Sequence, residues 1–490
     1  MSKWNIQITD FLGGFAPAWY NQGSYPSYGN KNHAGAMTNI DLTAPNFLTQ
    51  GPGLANLTNG TQAGVVTTLI NSILDEAVAS DVTYAIGGAL LHKVSSTAVS
   101  TGGSPSWPRT IDKAAVTAED GEDVCAYQGN LYYTYNHSGS AGDIGKYDLA
   151  STFDDDWGST VPSGFAALQA GPHQAIVAGN DKMYIANGRY VASYDGTTFL
   201  PLALDLPTGT VIQSIAWNSD RLWIVANRPS LTGSNKNTAS VYVWDGTTNS
   251  WEAEIRLMGT AGGCHVKNGV LFLFYQDVTS TGGYKLAYVS GGSVVDIANY
   301  IGSLPEFGQI TDYKDFILWV SSGLVYAYGA GDKELPVRLF QLADGGYSTV
   351  GALACPFGTP MVASTESTNY KLAQFSGYDV NSTYKTLTFD VSGENGASKI
   401  NTVVWNFDTL ATGASLGWSL VDSQGRTIYS DTISYLKATA TTPQHTLTTA
   451  VYNLNGKNAE NLRVQLDYAT GSASNPVKVK RIGIYGTDTK

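Results

Sequence analysis

Basic residues are scarce in this chain. Its 490 residues include 28 Lys and Arg against 40 Asp and Glu, a formal net charge of −12 at pH 7, and charged residues of both signs make up only 14%. Nucleic acids and anionic membranes are bound through concentrated Lys and Arg, and the sequence contains no basic cluster. We therefore expect no nucleic-acid partner.

Long apolar runs are absent as well. Nowhere do about eighteen apolar residues follow one another, the length that a transmembrane helix needs. The first residues, MSKWNIQITDFLGGF, lack the apolar core of a signal peptide. These absences predict a protein that is made in a cytosol and does not insert into a membrane.

Cysteine is rare and dispersed. Cys125, Cys264 and Cys355 have neither CxxC spacing nor an even count, and the simplest interpretation is three reduced, buried small residues. The chain also lacks the HExxH, GxSxG, P-loop and EF-hand patterns. We expect no catalytic residue, no cofactor and no metal ion, and hence a protein that is not an enzyme.

Glycine and aromatic residues are abundant, and they occur in a repeat. The chain has 54 Gly, 29 Tyr and 11 Trp, a composition typical of an all-β globular protein. Two octets, VASYDGTT from Val191 and VYVWDGTT from Val241, share one register fifty positions apart. Related elements recur about every 47 residues, which matches a four-stranded propeller blade. The seven anchors of this repeat are Val94, Tyr147, Tyr194, Trp244, Val289, Tyr328 and Phe375.

Unbroken apolar runs precede most of these anchors. Examples are MYIA from Met183, LWIVA from Leu222 and FILWV from Phe316. Such runs, bounded by Gly, Asn and Asp, predict strands that are covered on both faces. The helix-like stretch 70–78 is interpreted equally well as a first strand. We therefore predict a seven-bladed β-propeller over residues 61–380.

From about residue 381 the pattern changes to longer, alternating strands. In NLRVQLDY, which begins at Asn461, apolar and polar residues alternate. A period of two indicates one buried and one solvated face, as in a sheet of a β-sandwich. Residues 381–490 are predicted to form a jelly-roll-like β-sandwich.

Residues 1–60 show no period and are predicted to form an extended N-terminal arm. This segment carries too many large apolar side chains to remain solvated as a linker, so it must lie against a surface. Two alternatives stay open, because the arm either wraps its own propeller or docks on a neighbouring subunit. The predicted partner-binding residues are Phe11, Phe15, Trp19, Tyr20 and Phe47.

Candidate catalytic groups are few. Glycosidases need two carboxylates about 5–10 Å apart. Glu122, Asp123 and Asp312 lie near strand starts, but nothing in the sequence pairs them, and we interpret them as turn caps.

Three further groups of residues were considered as ligand sites. His173, Cys264 and His265 fall near innermost strands but lack metal-ligand spacing, which favours core or channel-lining roles. The acidic run 154–156 is interpreted as a solvated loop tip rather than a Ca²⁺ loop. Large aromatics in loop-rich sequence either stack on sugar rings or fill the space between blades. These aromatics are Trp107, Trp157 and Trp251.

The N-terminal sequence resembles that of known proteins. The opening ITDFLGGFAPAWY, with its DF-x-GG motif from Asp10 to Gly14, resembles the arm of tailed-bacteriophage virion proteins. A later N-x-D element at Asn39 and Asp41, followed by Pro52 and Gly53, fits the same pattern. The C-terminal SKINTVVWNFDTL resembles the terminal sandwich of such proteins.

This resemblance implies a non-enzymatic structural component of a tailed-phage virion, in the tail or tail tip. The implied partners are other virion proteins and copies of the same chain in a symmetric assembly, joined through the arm and the sandwich. The first alternative is a host-receptor or carbohydrate-binding module that recognises a host surface glycan. The second is a polysaccharide-degrading enzyme.

Overall fold

The fold is that of a computed structural model. It describes residues 3–8, 34–38, 40–41, 48–50, 54–56, 68–69, 73–75, 80–95, 107–111, 119–136, 141–169, 171–177, 179–228, 238–278, 283–329, 337–341, 347–366, 369–376, 382–386, 389–391, 398–422, 424–435, 438–439, 442–443, 447–468 and 475–488.

Strands make up most of these residues. Numbered along the chain, they are β1 (Lys3–Ile8), β2 (Ala34–Thr38), β3 (Ile40–Asp41), β4 (Thr49–Gln50), β5 (Leu54–Asn56), β6 (Thr68–Leu69), β7 (Ile73–Asp75), β8 (Ser80–Gly87), β9 (Leu90–Ser95), β10 (Trp107–Thr110), β11 (Asp120–Tyr127), β12 (Asn130–Asn136), β13 (Ala141–Tyr147), β14 (Phe153–Asp154), β15 (Leu168–Gln169), β16 (Ala175–Val177), β17 (Met183–Asn187), β18 (Tyr190–Tyr194), β19 (Phe199–Asp205), β20 (Val211–Asn218), β21 (Arg221–Arg228), β22 (Thr238–Trp244), β23 (Ala253–Lys267), β24 (Val270–Asp277), β25 (Gly283–Ser290), β26 (Ser293–Ile301), β27 (Ile310–Tyr313), β28 (Phe316–Ser321), β29 (Leu324–Tyr328), β30 (Val337–Gln341), β31 (Tyr347–Ala354), β32 (Met361–Glu366), β33 (Asn369–Phe375), β34 (Thr383–Thr386), β35 (Phe389–Asp390), β36 (Ser398–Phe407), β37 (Ser415–Val421), β38 (Thr427–Ser434), β39 (Ala438–Thr439), β40 (Thr442–Pro443), β41 (Thr449–Ala459), β42 (Asn461–Asp467) and β43 (Val479–Asp488).

Helical structure is minor within these ranges. They contain one short α-helix, α1 (Trp157–Thr160), and the 3-10 turns Phe307–Gln309 and Pro356–Gly358. Among the same residues, no helix is long and apolar enough to cross a membrane. The described part of the chain is therefore nearly all β, as the composition predicted.

Two compact units divide the chain. The smaller unit consists of Met1–Leu54, Leu324–Gly345 and Phe375–Lys490, and the larger unit of Ala55–Gly323 and Gly346–Gln374. The predicted division into residues 1–60, 61–380 and 381–490 stays a prediction.

The larger unit is a series of antiparallel sheets whose strands follow chain order. Sheet 1 joins β6 to β10, sheet 2 joins β11 to β15, sheet 3 joins β16 to β19, and sheet 4 joins β20 to β26. The hairpin β27–β28 follows, and sheet 5 has the order β31–β32–β33–β5. The stretch 70–78, whose helical character was weak, contributes strand β7 to sheet 1.

Sheet 4 is longer than the others because one strand serves two neighbours. In the 15-residue strand β23, Ala253–Met258 pairs with β22, and Gly259–Lys267 pairs with β24. Gly259 lies at the switch with φ of +152°, and a Cβ there would lie 1.9 Å from the carbonyl oxygen of Gln276. Only glycine fits this position.

Consecutive sheets share buried apolar clusters. Tyr84 of sheet 1 packs in one cluster with Tyr133 of sheet 2, and Met183 of sheet 3 packs with Tyr132 of sheet 2. Sheets 3 and 4 share a third cluster. A further cluster joins Ala85 and Val94 of sheet 1 to the fully buried Met361, Ala363 and Leu372 of sheet 5. The first and last sheets of the larger unit are therefore also neighbours.

Side-chain hydrogen bonds link the first strands of successive four-strand runs, which are β11, β16, β20 and β23. Asp123 Oδ2 in β11 accepts from the Ala175 amide in β16 at 2.7 Å. Gln174 Oε1 accepts from the Ile215 amide in β20 at 2.7 Å, and Ser214 Oγ accepts from the Cys264 amide in β23 at 3.1 Å. These bonds place the first strands side by side.

The two octets that share a register in the sequence end in equivalent turns. β18 and β22 are the third strands of their four-strand runs, and each ends in a DGTT turn. Asp195 Oδ1 accepts from the amides of Thr197 and Thr198 at 2.9 and 2.7 Å. Asp245 Oδ1 makes the same two bonds, at 2.7 and 2.8 Å. The apolar runs that form β17 and β28 are buried along their whole length, as predicted.

The smaller unit contains two larger antiparallel sheets. One has the order β1–β43–β36–β41, and the other β2–β34–β42–β37–β38, with β35 paired to β42. Trp405 of the first sheet and Trp418 of the second lie 5.1 Å apart between ring centroids, and Trp418 lies 4.8 Å from Tyr452. The aromatic contacts therefore lie between residues of the two sheets.

The N-terminal strand belongs to the first of these sheets. β1 pairs with β43 in antiparallel register from Lys3 with Thr487 to Ile8 with Ile482. Gly486 makes room for Trp4, because a Cβ at this position would lie 2.1 Å from the indole ring. Gln7 accepts from Arg481 Nε at 2.8 Å and donates to Tyr485 Oη at 3.0 Å. The start of the predicted arm is thus a strand of the smaller unit.

Candidate functional site

A cavity of about 390 Å³ lies where several first strands of the larger unit meet. Sheets 2 and 4 contribute to it, as do the segments that precede β16 and β27. Its lining residues are Glu122, Asn136, Gly171, Pro172, Gln213, Gly262, Glu306 and Phe307. We call it the Glu122 cavity.

Glu122 is held at the cavity wall by a hydrogen-bonded series. Asn136 Nδ2 donates to Glu122 Oε1 at 2.5 Å and to the Gly171 carbonyl oxygen at 3.3 Å. Asn136 Oδ1 lies 2.9 Å from His173 Nε2, and His173 Nδ1 lies 3.2 Å from the Ala186 carbonyl oxygen. One carboxamide thus connects a carboxyl group at the cavity to a fully buried imidazole.

Burial favours the uncharged forms of Glu122 and His173, which lie at the two ends of this hydrogen-bonded series. Burial, the nearby Asp120 carboxylate and Glu306 raise the pKa of Glu122 to about 7, although the bond from Asn136 opposes the shift. Burial lowers the pKa of His173 to about 4. Near neutral pH, Glu122 is half protonated and His173 is uncharged.

Glycines allow the close approaches around this site. A Cβ at Gly142 would lie 2.6 Å from His173 Nε2. A Cβ at Gly262 would lie 2.3 Å from the Pro305 carbonyl oxygen, in the segment that carries Glu306. Side chains at either position would push the walls of the cavity apart.

The carboxylates that the sequence pointed to have different roles. Asp123 lies beside Glu122 in β11 but is 7% exposed and accepts from the amides of Val124 and Ala175, so it links two sheets. Asp312 Oδ1 lies 3.0 Å from His265 Nε2 and forms an ion pair with Lys267 Nζ at 3.2 Å. Of the three, only Glu122 lines the cavity, where its acidic neighbour is Glu306.

The His and Cys residues considered as metal ligands do not converge. His173 contacts Asn136, Cys264 Sγ lies 3.3 Å from Ser214 Oγ, and His265 contacts Asp312. Among the residues that the structure describes, no group of three or more His, Cys, Asp and Glu side chains could hold a metal ion. His173 and Cys264 are buried, in keeping with core roles.

The interpretation of the acidic run 154–156 as a solvated loop tip was wrong for its central residue. Asp155 is 8% exposed, because its Oδ1 accepts from Tyr133 Oη and its carbonyl oxygen accepts from Tyr135 Oη. Two tyrosines from β12 therefore draw the chain inward before α1.

The three tryptophans considered for sugar stacking also differ in their surroundings. Trp157 is 3% exposed and packs edge-on against Tyr132, so stacking on a ligand is excluded for it. Trp251 is half-buried against Tyr242. The side chain of Trp107 lies outside the described residues, as do the predicted partner-binding residues Phe11, Phe15, Trp19, Tyr20 and Phe47.

A second cavity, of about 700 Å³, lies along β23. The charged residues that line it form ion pairs. Of the charged residues that line it, Arg256 lies 3.3 Å from Glu254, and Asp277 lies 3.1 Å from Nζ of Lys285, which is outside the lining. The Glu122 cavity differs, because none of the described residues that line it is basic.

Comparisons with known proteins give no family. No protein-family description matches the chain, and no curated protein is significantly similar to it. A solved structure of the mitotic checkpoint complex shows 13% identity over 69% of this chain and 99% of that chain, with a TM-score of 0.44. The N-terminal domain of Nup159 shows 14% identity over 69% and 98%, with a TM-score of 0.39. Glucose dehydrogenase shows 10% identity over 66% and 99%, with a TM-score of 0.38. TM-scores this low carry no argument.

Proposed function

We propose that the chain is a non-enzymatic structural component of a tailed-phage virion, located in the tail or tail tip. In this proposal the larger unit is a seven-bladed β-propeller, and the smaller unit is a jelly-roll-like β-sandwich. The arm and the sandwich bind other virion proteins and further copies of this chain.

The arrangement of sheets supports the seven-bladed propeller. Sheets 1, 2, 3 and 5 each correspond to one blade, and sheet 4 corresponds to two because β23 is shared. The hairpin β27–β28 is the inner half of the remaining blade. The cluster between sheets 1 and 5 supports a closed ring, in which the last blade meets the first.

The pairing of β1 with β43 is the observation that carries the assembly role. It attaches the N-terminus to a sheet by adding a strand, a common mode of protein recognition. The phage-like DF-x-GG motif begins at Asp10, directly after this strand. We infer that β1 fixes the base of the arm and that the aromatic residues beyond it contact neighbouring polypeptides.

Incorporation into particles tests this proposal. A variant with Ser at Phe11, Phe15, Trp19, Tyr20 and Phe47 should fold with an unchanged melting temperature and be lost from purified virions. A control variant with other large apolar residues at the same positions should be incorporated. Normal incorporation of the Ser variant would contradict the proposal.

The two alternative functions inferred from the sequence predict different measurements. Host-glycan recognition predicts binding of the isolated chain on a glycan array, and polysaccharide cleavage predicts release of reducing ends from host polysaccharide.

A further inference from the structure

We infer that Asn268 is a site of spontaneous covalent modification, at which the asparagine converts to aspartate and isoaspartate. The reaction needs no enzyme and no co-reactant other than water. This inference concerns the larger unit alone and does not depend on the proposed role in a virion.

Asn268 and Gly269 form the tip of the hairpin β23–β24, in the turn between the paired residues Lys267 and Val270. Both tip residues have a positive φ, +51° and +76°, as the tightest hairpin turns require. A glycine leaves the preceding asparagine most reactive, because no Cβ shields the backbone nitrogen from the side chain. A Cβ at Gly269 would meet nothing within 4 Å, so the space around this tip is open.

The reaction is an attack of the Gly269 backbone nitrogen on Asn268 Cγ. The N–Cγ bond forms, the Cγ–Nδ2 bond breaks, and ammonia leaves with the proton that the backbone nitrogen loses. Water then opens the resulting cyclic imide at either of its carbonyl carbons. One opening gives aspartate, and the other gives isoaspartate, whose main chain runs through the former side-chain carbon.

The surroundings of Asn187, which also precedes a glycine, protect it from the same reaction. Asn187 is 2% exposed. Its Oδ1 accepts from the Gln169 amide at 2.6 Å, and its Nδ2 donates to the Pro201 carbonyl oxygen at 3.4 Å. Asn268 is exposed, and its carboxamide forms no hydrogen bond to any part of the chain that the structure describes. Cyclisation at Asn187 must therefore wait for local opening, whereas at Asn268 the exposed tip is free to turn.

Asn455–Gly456 is the third such pair among the described residues. Asn455 is exposed and lies in β41 where the register with β36 shifts. A Cβ at Gly456 would lie 3.4 Å from the Lys399 side chain, so this backbone has less room to move than the tip of β23–β24. We expect its rate to lie between those of Asn187 and Asn268.

The tip of β23–β24 also links the two neighbouring turns. Asn218 Nδ2, at the turn β20–β21, donates to the Gly269 carbonyl oxygen at 2.8 Å. Lys267 Nζ donates at 2.7 Å to the carbonyl oxygen of Lys314, in the turn β27–β28. Isoaspartate lengthens the main chain by one carbon between these two contacts. Modification of Asn268 should therefore disturb both neighbouring turns.

Peptide mapping by mass spectrometry tests the inference on the full chain, incubated at pH 8 both folded and in urea. In urea, Asn187 and Asn268 should react at similar rates, because each precedes a glycine. Folding should slow Asn187 at least about tenfold more than Asn268, since the buried site reacts only after local opening. Isoaspartate should be among the products at Asn268, because direct hydrolysis by water gives aspartate alone.

Asn268→Gln is the unreactive control, since its longer side chain would have to close a less favourable six-membered ring. Gln128–Gly129 occupies the equivalent turn β11–β12 with φ of +46° and +70°, so this fold accepts the pair. Gly269→Ala should also slow the reaction, because its methyl group hinders the attack. After incubation, hydrogen exchange in the turns β20–β21 and β27–β28 should quicken in the unaltered chain and not in Asn268→Gln.

Three results would overturn the inference. The first is equal protection of Asn187 and Asn268 by folding, and the second is aspartate without isoaspartate at Asn268. The third is unchanged exchange in both neighbouring turns once Asn268 has been modified, which would remove the inferred structural effect.

Discussion

At the residue scale, the protonation states of Glu122 and His173 are linked, because the Asn136 carboxamide is hydrogen-bonded to both side chains. If both imidazole nitrogens donated, to Asn136 Oδ1 and to the Ala186 carbonyl, the ring would have to be a cation, which burial disfavours. Asn136 Nδ2 donates to Glu122 and to the Gly171 carbonyl oxygen, which leaves Asn136 Oδ1 as the acceptor that faces His173 Nε2. The neutral ring therefore carries its proton on Nε2.

We therefore expect His173 to be the neutral Nε2–H tautomer at pH 6. Long-range ¹H–¹⁵N spectra of the imidazole distinguish the two tautomers directly. The assignment of the ring signals follows from their loss in His173→Asn. A neutral ring with its proton on Nδ1 would contradict this network.

Glu122 should also make stability depend on pH in the unusual direction for an acid. Its folded pKa of about 7 exceeds the ordinary value of 4.5, so the folded state holds a proton that the unfolded state releases. This contribution is present below about pH 4.5 and is lost as pH rises to 7. We expect the melting temperature of Glu122→Gln, relative to that of the unaltered chain, to rise over this range.

His173 contributes with the opposite sign. Its folded pKa of about 4 lies below the ordinary 6.5, so its contribution is present above pH 6.5 and is lost toward pH 4. Because both proteins contain His173, this effect cancels when the melting temperature of Glu122→Gln is compared with that of the unaltered chain. A difference in melting temperature between the two proteins that stays constant with pH would show that Glu122 titrates normally.

At the element scale, the two DGTT turns offer a matched pair. Asp195→Ala and Asp245→Ala each remove an acceptor of two backbone amides, and each should lower the free energy of unfolding by about 1 kcal/mol. Urea unfolding at pH 7 measures both. Asp245 also accepts from Thr248 Oγ1 at 3.0 Å, so its loss should be the larger of the two. Asn at either position keeps the acceptor oxygen and should cost less, and no loss in one of the Ala variants would contradict the equivalence of the turns.

The switch in β23 makes a sharper prediction. Gly259→Ala combines an unfavourable φ with a clash against Gln276, and should cost more than about 2 kcal/mol. Gly269→Ala is the control, because Gly269 has a positive φ of +76° with open space around its Cβ position, and should cost about 1 kcal/mol. Urea unfolding compares them, and equal losses would contradict the clash.

The sequence predicts many of the strands, but it does not predict which strands distant in the chain pair with one another. Fully buried strands such as β17 are visible in the sequence because local apolar runs cause them. The pairing of β1 with β43 joins the two ends of the chain, and no local pattern encodes it. Glu122 was noticed, but Glu306 and Asn136 were missed, because the cavity forms only when separate sheets meet.

At the scale of the whole molecule, contact between sheets 1 and 5 connects distant parts of the chain. Leu372 is fully buried in the cluster with Ala85 and Val94. Leu372→Ala should lower stability by about 2–5 kcal/mol. If the ring is closed, hydrogen exchange should quicken in β8 and β9 as well as in β31 to β33.

Leu273→Ala is the control for this experiment. Leu273 is equally buried but packs within the cluster of sheet 4. We expect faster exchange in β23 to β25 and little change in β8 and β9. Unchanged exchange of β8 and β9 in Leu372→Ala would argue against ring closure.

The shared strand β23 has a mechanical consequence. When a force pulls on the chain ends, one sheet can usually detach at a time, because the loop that follows it extends before the next sheet bears the load. No such loop lies between β22 and β24, since a single extended backbone is hydrogen-bonded on both sides of Gly259. The two halves of sheet 4 should therefore rupture in one event, twice as long as the others in extension traces.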